Sequence, residues 1–382
     1  MSYLIYNQNT VPSGWRKILY LNWPLILLPS AVAVIGFLLL YSVADASPSR
    51  WALPQMKRFA VGLAGMIAVA MVPIWHWRRL AVPAYLAALA LLLAVEFIGQ
   101  VGSGAQRWID LGPIRVQPSE MAKIALVMAL AAYYDALEPD RVSRPGALVL
   151  PLVMIAAPVA LVLAQPDLGT AALMALGGAA VMFAAGVHWM YFGAVTLAGA
   201  GGAGAVWLSR GTPWQLLRDY QYARIDTFLD PSRDPLGAGY HITQAKIALG
   251  SGGWSGRGFM QGTQTQLSFL PEQQTDFIFT TLAEEFGFVG SLSLLALYLA
   301  ILGFCTGVAI HARERFPALL VIGIAFAFFL YFAINMGMVM GLVPVVGAPL
   351  PLVSYGGSAM LVLMLAFGLV QSAHVHRPRG GE

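Results

Sequence analysis

The chain has 382 residues, of which 58% are hydrophobic and only 10% are charged. Soluble domains carry about 25% charged residues, so this chain cannot cover a soluble globule with charge, and a surface in contact with lipid is indicated. The net charge of +4 includes no dense basic run, which argues against nucleic acid as a partner. The single cysteine, Cys305, excludes an internal disulfide and a C-x-x-C metal or redox site.

Runs of about 20 apolar residues, the length that crosses a hydrocarbon core, recur along the chain. They predict ten transmembrane helices, at 24–43, 59–75, 80–100, 119–135, 147–164, 170–187, 189–208, 277–309, 317–340 and 356–373. The N-terminal segment lacks a short apolar region with a cleavage site, so no removable signal peptide is expected. The predicted fold is all-α: a polytopic integral membrane protein with a single transmembrane domain over 1–382.

Arginines and lysines in the short loops predict the orientation of these helices. If the helices alternate strictly, five pairs fall on one side: Arg16 and Lys17, Arg78 and Arg79, Arg141 and Arg144, Arg313 and Arg315, Arg377 and Arg379. That side is expected to be the cytoplasm, with both termini inside. Arg50, Lys57 and Arg58 lie in the first outer loop and run against the rule.

The outer side then carries one segment, 209–276, that is too long for a plain connector between helices 7 and 8. Loops of such length are often functional. Within it, PWQLLRDYQYARIDTFL predicts an amphipathic helix at the membrane surface. GYHITQAKIALGSGG predicts a second helix that ends at glycine. The glycines and prolines of GLVPVVGAPLPLVSYGGS exclude a regular lipid-exposed helix, so a folded loop over the outer mouth is expected there.

Four polar motifs map to the outer side or to the outer ends of helices. They are GSGAQRWIDLGPIRVQPSEMAK (102–123), AQPDLGTA (164–171), ALGSGGWSGRGFMQGTQTQLSFLPEQQTDFIFTTLAEEFGFVG (248–290) and NMGMVMGLVPVVGAPLPLVSYGGSAM (335–360). In this order, and from about residue 20 to the end, the chain resembles the SEDS family of cell-wall proteins, which includes RodA, FtsW and SpoVE. The GTQTQLSFLPE stretch is more similar to the RodA branch than to the FtsW branch.

The resemblance implies a peptidoglycan glycosyltransferase that polymerises lipid II into β-1,4 glycan strands during cell elongation and releases undecaprenyl pyrophosphate. It implies a bacterial cytoplasmic membrane protein with its active site on the extracytoplasmic face. The implied partners are a class B penicillin-binding transpeptidase and other membrane proteins of the elongation complex. Two alternatives stay open, a lipid II flippase and a non-catalytic scaffold for the transpeptidase. A transporter should place charged or unwound segments near the midplane, so the crowding of polar motifs at the outer face favours the enzyme.

An α-linked donor that yields a β-linked polymer requires inversion in one displacement, which needs a base at the acceptor hydroxyl. Positive charge must also stabilise the departing pyrophosphate. Asp276 in QQTDFIF matches the family's catalytic aspartate and is the predicted base. Its position alone favours an N-terminal helix cap, and the motif match reverses that preference. Many relatives have a histidine and an acidic residue where this chain has Gln274 and Ser268, so neither a His relay nor a second carboxylate is expected there.

Four residues are predicted to bind substrate at the outer ends of the fourth and fifth helices and in the outer segment 101–118. Glu120 and Lys123 share a helix face, and with Asp167 they are expected to form a polar wall of the substrate cavity. A buried Lys123–Asp167 or Lys123–Glu120 pair that fixes helix packing is the alternative, since charges in a bilayer usually face a cavity or each other. Arg107 offers a bidentate fork for the pyrophosphate, or for a lipid headgroup.

The long outer segment supplies three more predicted substrate ligands. Arg224 and Lys246 lie in the two expected surface helices, where lipid headgroups are the alternative partners. Glu272 could bind sugar or a divalent cation, or it could be a solvated loop carboxylate. A divalent cation, Mg or Mn, at the pyrophosphate is expected on charge grounds, with no ligands assigned.

Further polar residues carry open alternatives. One of Glu284 and Glu285 is expected to face the cavity. Ser354 and Tyr355 could bind sugar, and Ser354 could equally cap the last helix. The histidines show no metal-ligand spacing and are expected to have no role in the site.

Overall fold

The computed structural model describes residues 14–377 except 103–104, 111, 113–114, 217, 235–236, 268–269, 271 and 346. Residues 1–13, Ser268 and Arg379, to which parts of the sequence analysis refer, therefore lie outside the described residues. The helices are α1 (Pro24–Val43), α2 (Ala52–Met71), α3 (Ile74–Ile98), α4 (Pro118–Ala136), α5 (Pro145–Ala164), α6 (Leu168–Ala184), α7 (Trp189–Leu208), α8 (Asp219–Leu229), α9 (Ala238–Ser251), α10 (Thr263–Gln266), α11 (Ile278–Ile310), α12 (Arg315–Met340) and α13 (Gly357–Val375). Short 3-10 helices occupy Gly14–Tyr20, Pro139–Arg141 and Pro231–Arg233.

Seven of the described helices are long and apolar enough to cross a membrane, namely α1, α3, α5, α7, α11, α12 and α13. α6 is apolar but shorter, with 17 residues. α2 carries Lys57 and Arg58, and α4 carries Glu120, Lys123 and Asp135. These three helices pack among the apolar ones, α2 on α13 and both α4 and α6 on α12. The prediction of an all-α, multi-pass membrane protein is confirmed.

Two helix starts differ from the prediction because hydropathy falls at charged residues while the helical backbone continues. α2 begins at Ala52, so Lys57 and Arg58 lie on a helix and not in a loop. α3 begins at Ile74, so Arg78 and Arg79 also lie within a helix. Long cationic side chains can run along a helix and keep their charged ends in polar surroundings, so a pair of charges does not end the helix.

A small antiparallel sheet, which the sequence analysis did not predict, connects α3 to α4. Its strands are β1 (Gln100–Gly102), β2 (Ala105–Asp110) and β3 (Arg115–Val116), in the order β1-β2-β3. The register pairs Gln100 with Trp108 in the first ladder, and Ile109 with Val116 in the second. β2 contacts both α3 and α4, so it holds Arg107 near the start of α4.

The predicted helix 277–309 is broken near its start. Gly287 has φ 65° and ψ −159°, values outside the helical region. A loop at 252–258 lies against this break: two N–H groups after the break donate to loop carbonyls at 2.9 and 3.1 Å, and two loop N–H groups donate to carbonyls before it at 2.9 and 3.0 Å. A Cβ on Gly287 would collide with the backbone nitrogen of Gly256. Interrupted backbone at membrane depth needs such internal partners.

The described part of 209–276 is tied to the bundle rather than extended from it. α8 begins at Asp219, later than the predicted helix, and Asp226 on it binds the Arg210 guanidinium through two hydrogen bonds of 2.7 and 2.5 Å. α9 ends at Ser251, directly before Gly252, as predicted. α9 packs against α11 and α12.

One end of the bundle gathers the last turns of α12 and the first turns of α2, α4, α6, α11 and α13. We call it the site end. Side chains join the helices there, for example Ser42 of α1 to Glu285 of α11, and Gln55 of α2 to the carbonyl of Ser354. Deeper in the bundle, the Tyr298 ring stacks on Phe332 at 4.8 Å, and its hydroxyl donates to the Pro351 carbonyl at 2.7 Å. The segment 342–356 is therefore anchored to the core.

Candidate active site

The turn 272–277, which we call the Asp276 turn, lies directly before α11. Its backbone is closed by the N–H groups of Thr275 and Asp276, which donate to the Glu272 carbonyl at 3.1 and 3.2 Å. Glu272 has φ 53°, in the left-handed region that residues other than glycine rarely adopt. The turn is thus a compact, locally strained element.

The segment 335–355 holds this turn through three consecutive carbonyl groups. The carbonyls of 274–276 accept, in that order, from the Tyr355 N–H at 2.7 Å, the Ser354 hydroxyl at 2.5 Å and the Asn335 amide at 2.9 Å. The Ser354 hydroxyl also accepts from the Leu350 N–H at 2.7 Å. Two separate parts of the chain are therefore fixed to one another at the point where the predicted base lies.

These contacts exclude one alternative for Ser354, the cap of the last helix. α13 is capped by Gly356 without a side-chain hydrogen bond, so Ser354 is not its cap. The Ser354 hydroxyl is instead used to connect the two segments. The Tyr355 ring lies 4.8 Å from the Trp51 ring and 4.7 Å from the Arg58 guanidinium.

The Asp276 carboxylate is partly buried, and no hydrogen bond reaches either of its oxygens among the described residues. It does not cap α11, because the cap position belongs to Phe277, which makes no side-chain cap bond. Gly347 faces it: a Cβ added there would lie 3.5 Å from Oδ2. Burial, with a smaller contribution from the Glu272 charge, raises the pKa of Asp276 to about 6. This carboxylate is therefore a stronger base than an ordinary aspartate and has no competing partner.

Glu272 is engaged within the same turn. Its Oε2 accepts from the Gln274 amide and from the Thr275 hydroxyl, each at 3.2 Å. Gln274 thus binds Glu272 and takes no part in a relay to Asp276. Within the described residues, no group of three or more His, Cys, Asp or Glu side chains could hold a metal ion.

An open cleft, with about 620 Å³ of empty space including the solvent at its mouth, lies between α4, α12, α13 and residues 349–356. Most of its wall is apolar, and Ser354 lines it, so the cleft lies beside the Asp276 turn. Its polar lining includes Glu120, Lys123 and Tyr331. A smaller cleft, with about 280 Å³ of empty space including open solvent, lies between α4, α6 and α12 and shares Lys123 and Tyr331 with the first.

The polar cluster between the two clefts is closely paired. Lys123 Nζ lies 2.7 Å from Glu120 Oε1, and both residues are buried. The Tyr331 hydroxyl donates to the Glu120 carboxylate at 3.0 Å, while Lys123 Nζ lies 4.3 Å from the Tyr331 ring centroid. Of the two predicted pairs, the structure therefore forms Lys123–Glu120 and not Lys123–Asp167, and the pair lines a cavity as well.

Arg107 and Asp167 form a separate group. The Arg107 guanidinium donates to the carbonyls of Gln165 and Pro166 at 3.1 and 2.6 Å and lies 3.4 Å from Asp167 Oδ2. Asp167 also caps α6 by accepting from the Thr170 N–H at 3.1 Å. Both predicted ligands thus already have structural partners, and no hydrogen bond or ion pair joins them to Asp276 among the described residues.

The remaining predicted ligands lie on the helices of the long segment. Lys246 on α9 is exposed, and its stem lies against the end of α12, where a Cβ on Gly341 would be 2.7 Å from Nζ. A cation there faces the negative end of the α12 dipole. Arg224 lies on α8, and its side chain is outside the described part of the structure.

Neither Glu284 nor Glu285 lines the two clefts. The Glu284 carboxylate accepts four hydrogen bonds of 2.9 to 3.2 Å from the N–H and hydroxyl groups of 263–265. Glu285 accepts from the Ser42 hydroxyl. Both acids hold other segments against α11, so the expectation that one of them faces the cavity is not met in these two clefts.

Sequence reasoning did not single out two residues of the site, Tyr331 and Asn335. Tyr331 is separated by 211 residues from its partner Glu120, and no local pattern shows the contact. Asn335 had a usable signal, because a polar side chain inside an apolar membrane helix is usually functional or structural.

The bundle and its site define a multi-pass membrane protein that carries, at one end of its helices, an acid without a hydrogen-bond partner among the described residues. The family model for FtsW, RodA and SpoVE, described as cell cycle protein, matches residues 17–379. The chain therefore belongs to this family, as its motifs predict.

Individual relatives agree with this assignment. The chain is 43% identical over 364 residues to the peptidoglycan glycosyltransferase MrdB of Escherichia coli K12, which covers 95% of both chains. It is 34% identical over 356 residues to the probable peptidoglycan glycosyltransferase FtsW of Trichlorobacter lovleyi, covering 91% of both.

Solved structures agree as well. The rod shape determining protein RodA of Thermus thermophilus superposes with a TM-score of 0.70 at 28% identity, over 94% of this chain and 98% of that one. A chain from a peptidoglycan synthase complex, described in terms of coordinated polymerization and crosslinking, gives a TM-score of 0.81 at 31% identity, over 93% and 97%.

Proposed function

We propose that this chain is a peptidoglycan glycosyltransferase that polymerises lipid II by inverting glycosyl transfer, with Asp276 as the base. The observation that carries the proposal is the Asp276 carboxylate itself. It is partly buried, has no hydrogen-bond partner among the described residues, and belongs to the turn that is bound by Ser354, a lining residue of the cleft. Its pKa of about 6 leaves it mostly ionised at neutral pH while making it more basic than an ordinary aspartate.

The reaction follows from the chemistry of the substrate. Asp276 removes the proton from the acceptor sugar hydroxyl, and the oxygen attacks the anomeric carbon of the donor from the face opposite its pyrophosphate. The bond between that carbon and the pyrophosphate oxygen breaks, and undecaprenyl pyrophosphate leaves. One displacement converts the α linkage into β, so no protein nucleophile is required.

The structure supports some of the other predicted substrate ligands more than others. Glu120 and Lys123 line the cleft and are proposed to form its polar wall. Arg107 uses part of its guanidinium on carbonyls and Asp167, and its side chain keeps 27% exposure for contact with phosphate. Lys246 is exposed at the site end. Arg224 and Glu272 stay predictions.

A divalent cation also stays a prediction. The described residues offer no cluster of three ligating side chains. A cation at this site would take most of its ligands from the substrate pyrophosphate and water, which is how Mg²⁺ commonly binds.

The proposed location is the bacterial cytoplasmic membrane, with the site end on the extracytoplasmic face. Its support is the arginine and lysine bias of the loops at the opposite end. The proposed partner is a class B penicillin-binding transpeptidase. Its support is the likeness to a chain of a synthase complex that couples polymerization to crosslinking.

The test is polymerisation of labelled lipid II by the purified full-length chain, with and without the transpeptidase, in wild-type and Asp276→Asn forms. Loss of a general base lowers the rate by about 10²–10⁴-fold. Asp276→Asn should therefore form essentially no polymer while remaining folded, since its carboxylate makes no hydrogen bond among the described residues. Glu96→Gln, which changes an exposed carboxylate near the end of α3, is the matched control and should polymerise normally. Polymer from Asp276→Asn would refute the assignment, and lipid II flipping without polymer from wild type would favour the transporter.

A further inference from the structure

Asn335 binds the backbone at two points beside the proposed base. It lies in α12, is completely buried, and its Nδ2 donates to the Asp276 carbonyl at 2.9 Å and to the Ala348 carbonyl at 2.7 Å. A carboxamide nitrogen has two hydrogens and no acceptor capacity. Only a group with two donors can bridge two carbonyl oxygens, so the orientation of this amide is determined by its partners.

The two carbonyls belong to the two segments that face each other across the base. Asp276 lies in the Asp276 turn, and Ala348 is next to Gly347, whose Cα faces Asp276 Oδ2. One side chain therefore fixes both the backbone that carries the carboxylate and the backbone against which the carboxylate lies. Ser354 also joins the two segments, through the Thr275 carbonyl and the Leu350 N–H, but of these residues only Asn335 bonds the carbonyl of Asp276 itself.

The oxygen of the Asn335 amide does not contribute to stability in the way its nitrogen does. Its Oδ1 is buried and has no hydrogen-bond partner among the described residues. A buried acceptor without a partner weakens a fold. The two bonds made by Nδ2 account for the presence of an amide at this position.

We infer that Asn335 is a positioning residue for the proposed glycosyl transfer: by bridging the Asp276 and Ala348 carbonyls, it sets the Asp276 carboxylate against the 347–348 backbone. This inference rests on the proposed function. It predicts that loss of the bridge displaces the base relative to the acceptor hydroxyl and opens its surroundings to water. A displacement of about 1 Å can lower turnover about 100-fold.

The experiment uses the full-length chain in lipid nanodiscs with labelled lipid II. Asn335→Leu removes both donors at similar size, and Asn335→Ser keeps one donor. The matched control is Gln371→Leu, because Gln371 is also a fully buried amide that binds backbone, at the opposite end of the bundle: its Nε2 donates to the Asn22 carbonyl at 2.8 Å. Thermal unfolding, kcat, KM and the pH dependence of kcat are measured for each.

For Asn335→Leu we expect kcat to fall about 10- to 100-fold with KM within about twofold of wild type. The acid limb of its pH profile should move toward the ordinary carboxyl range, since Asp276 becomes better hydrated. Asn335→Ser should have a kcat and an acid limb between those of wild type and Asn335→Leu. Gln371→Leu should lose thermal stability but keep kcat and the acid limb. If Asn335→Leu does not insert, Asn335→Ser is compared with wild type in the same way.

Unchanged kcat in a folded Asn335 variant would overturn the inference. So would a loss of kcat with an unmoved acid limb, or an equal loss in Gln371→Leu. These results are distinguishable from failure of the proposed function. If the proposed function is wrong, wild type forms no polymer or Asp276→Asn retains activity, and neither result depends on the Asn335 variants.

Discussion

Asp276 and Glu284 are separated by only a few residues, yet their carboxylates have opposite surroundings. Glu284 is fully buried and accepts four hydrogen bonds from 263–265. Asp276 is partly buried and accepts none among the described residues. A carboxylate whose lone pairs are occupied is held as a structural anion, whereas an unpaired one is available to take a proton. The difference separates the acid that builds the site from the acid that we propose reacts in it.

The largest expected effect concerns Glu284. Glu284→Leu removes the acceptor of four hydrogen bonds, and two of their donors, the N–H and the hydroxyl of Thr265, are buried. We expect a loss of on the order of 4 kcal/mol in unfolding free energy, since each unpaired buried donor costs about 1–3 kcal/mol. Thermal unfolding in nanodiscs measures it.

Glu284→Gln is the control for this comparison, because it keeps one acceptor oxygen and the shape of the side chain. It should lose about half as much stability. If Glu284→Leu is as stable as wild type but inactive, Glu284 belongs with Asp276 in the reaction and the proposed division between the two acids is wrong.

The Glu120–Lys123 pair provides a second test of the division. It resembles Glu284 in being buried and hydrogen-bonded, but unlike Glu284 it lines the cleft. Lys123→Met leaves the buried Glu120 carboxylate with only the Tyr331 hydroxyl, and breaking a buried pair costs about 3 kcal/mol. Thermal unfolding and lipid II binding are measured on the same preparation.

The two readouts separate packing from substrate contact. Weakened lipid II binding by folded Lys123→Met would place Lys123 in the substrate wall. Unchanged binding and turnover, with the stability loss alone, would assign the pair to helix packing. Tyr331→Phe is the milder control, since it removes one hydroxyl from Glu120 and leaves the ion pair intact.

Much of the fold follows from local properties of the sequence. Apolar runs predict the ten helices α1–α7 and α11–α13, because a helix that crosses the hydrocarbon needs about 20 apolar residues, and seven of these helices are long and apolar enough to cross a membrane. The break at Gly287 could not be predicted in this way. It depends on the loop 252–258 docking from outside the helix and supplying the missing hydrogen bonds. The short strands β1–β3 likewise carry too few residues for a periodic signal.

The candidate site likewise has a part that the sequence predicts and a part that depends on tertiary packing. Asp276 was predicted because a sequence motif marks it, and Lys123 with Glu120 because one helix face brings them together. The bonds that position Asp276 come from Asn335, Ser354 and the 355 backbone, and the first of these is 59 residues away in sequence. Such contacts are set by how α12 and its following loop pack on the Asp276 turn, which no local pattern specifies.

The smallest expected effect concerns pH and tests the Asp276 side of the comparison directly. Burial raises the pKa of Asp276 to about 6, and the base acts in its ionised form, so activity falls as the pH drops below that value. At pH 5 about one tenth of the carboxylate is ionised, which predicts a roughly tenfold lower kcat/KM than at pH 7. Initial rates of lipid II polymerisation across this range measure the acid limb.

Glu272→Gln sharpens the result, because the Glu272 charge is the second cause of the raised pKa. Removing that charge favours ionised Asp276, so the acid limb should move to lower pH and the variant should retain more of its activity at pH 5. Glu96→Gln, with its exposed side chain, should leave the limb in place. An acid limb in the ordinary carboxyl range for the wild type would mean that the Asp276 carboxylate is hydrated in the working enzyme. Asp276 would then differ from Glu284 only in lacking hydrogen-bond partners among the described residues, and burial would not explain its reactivity.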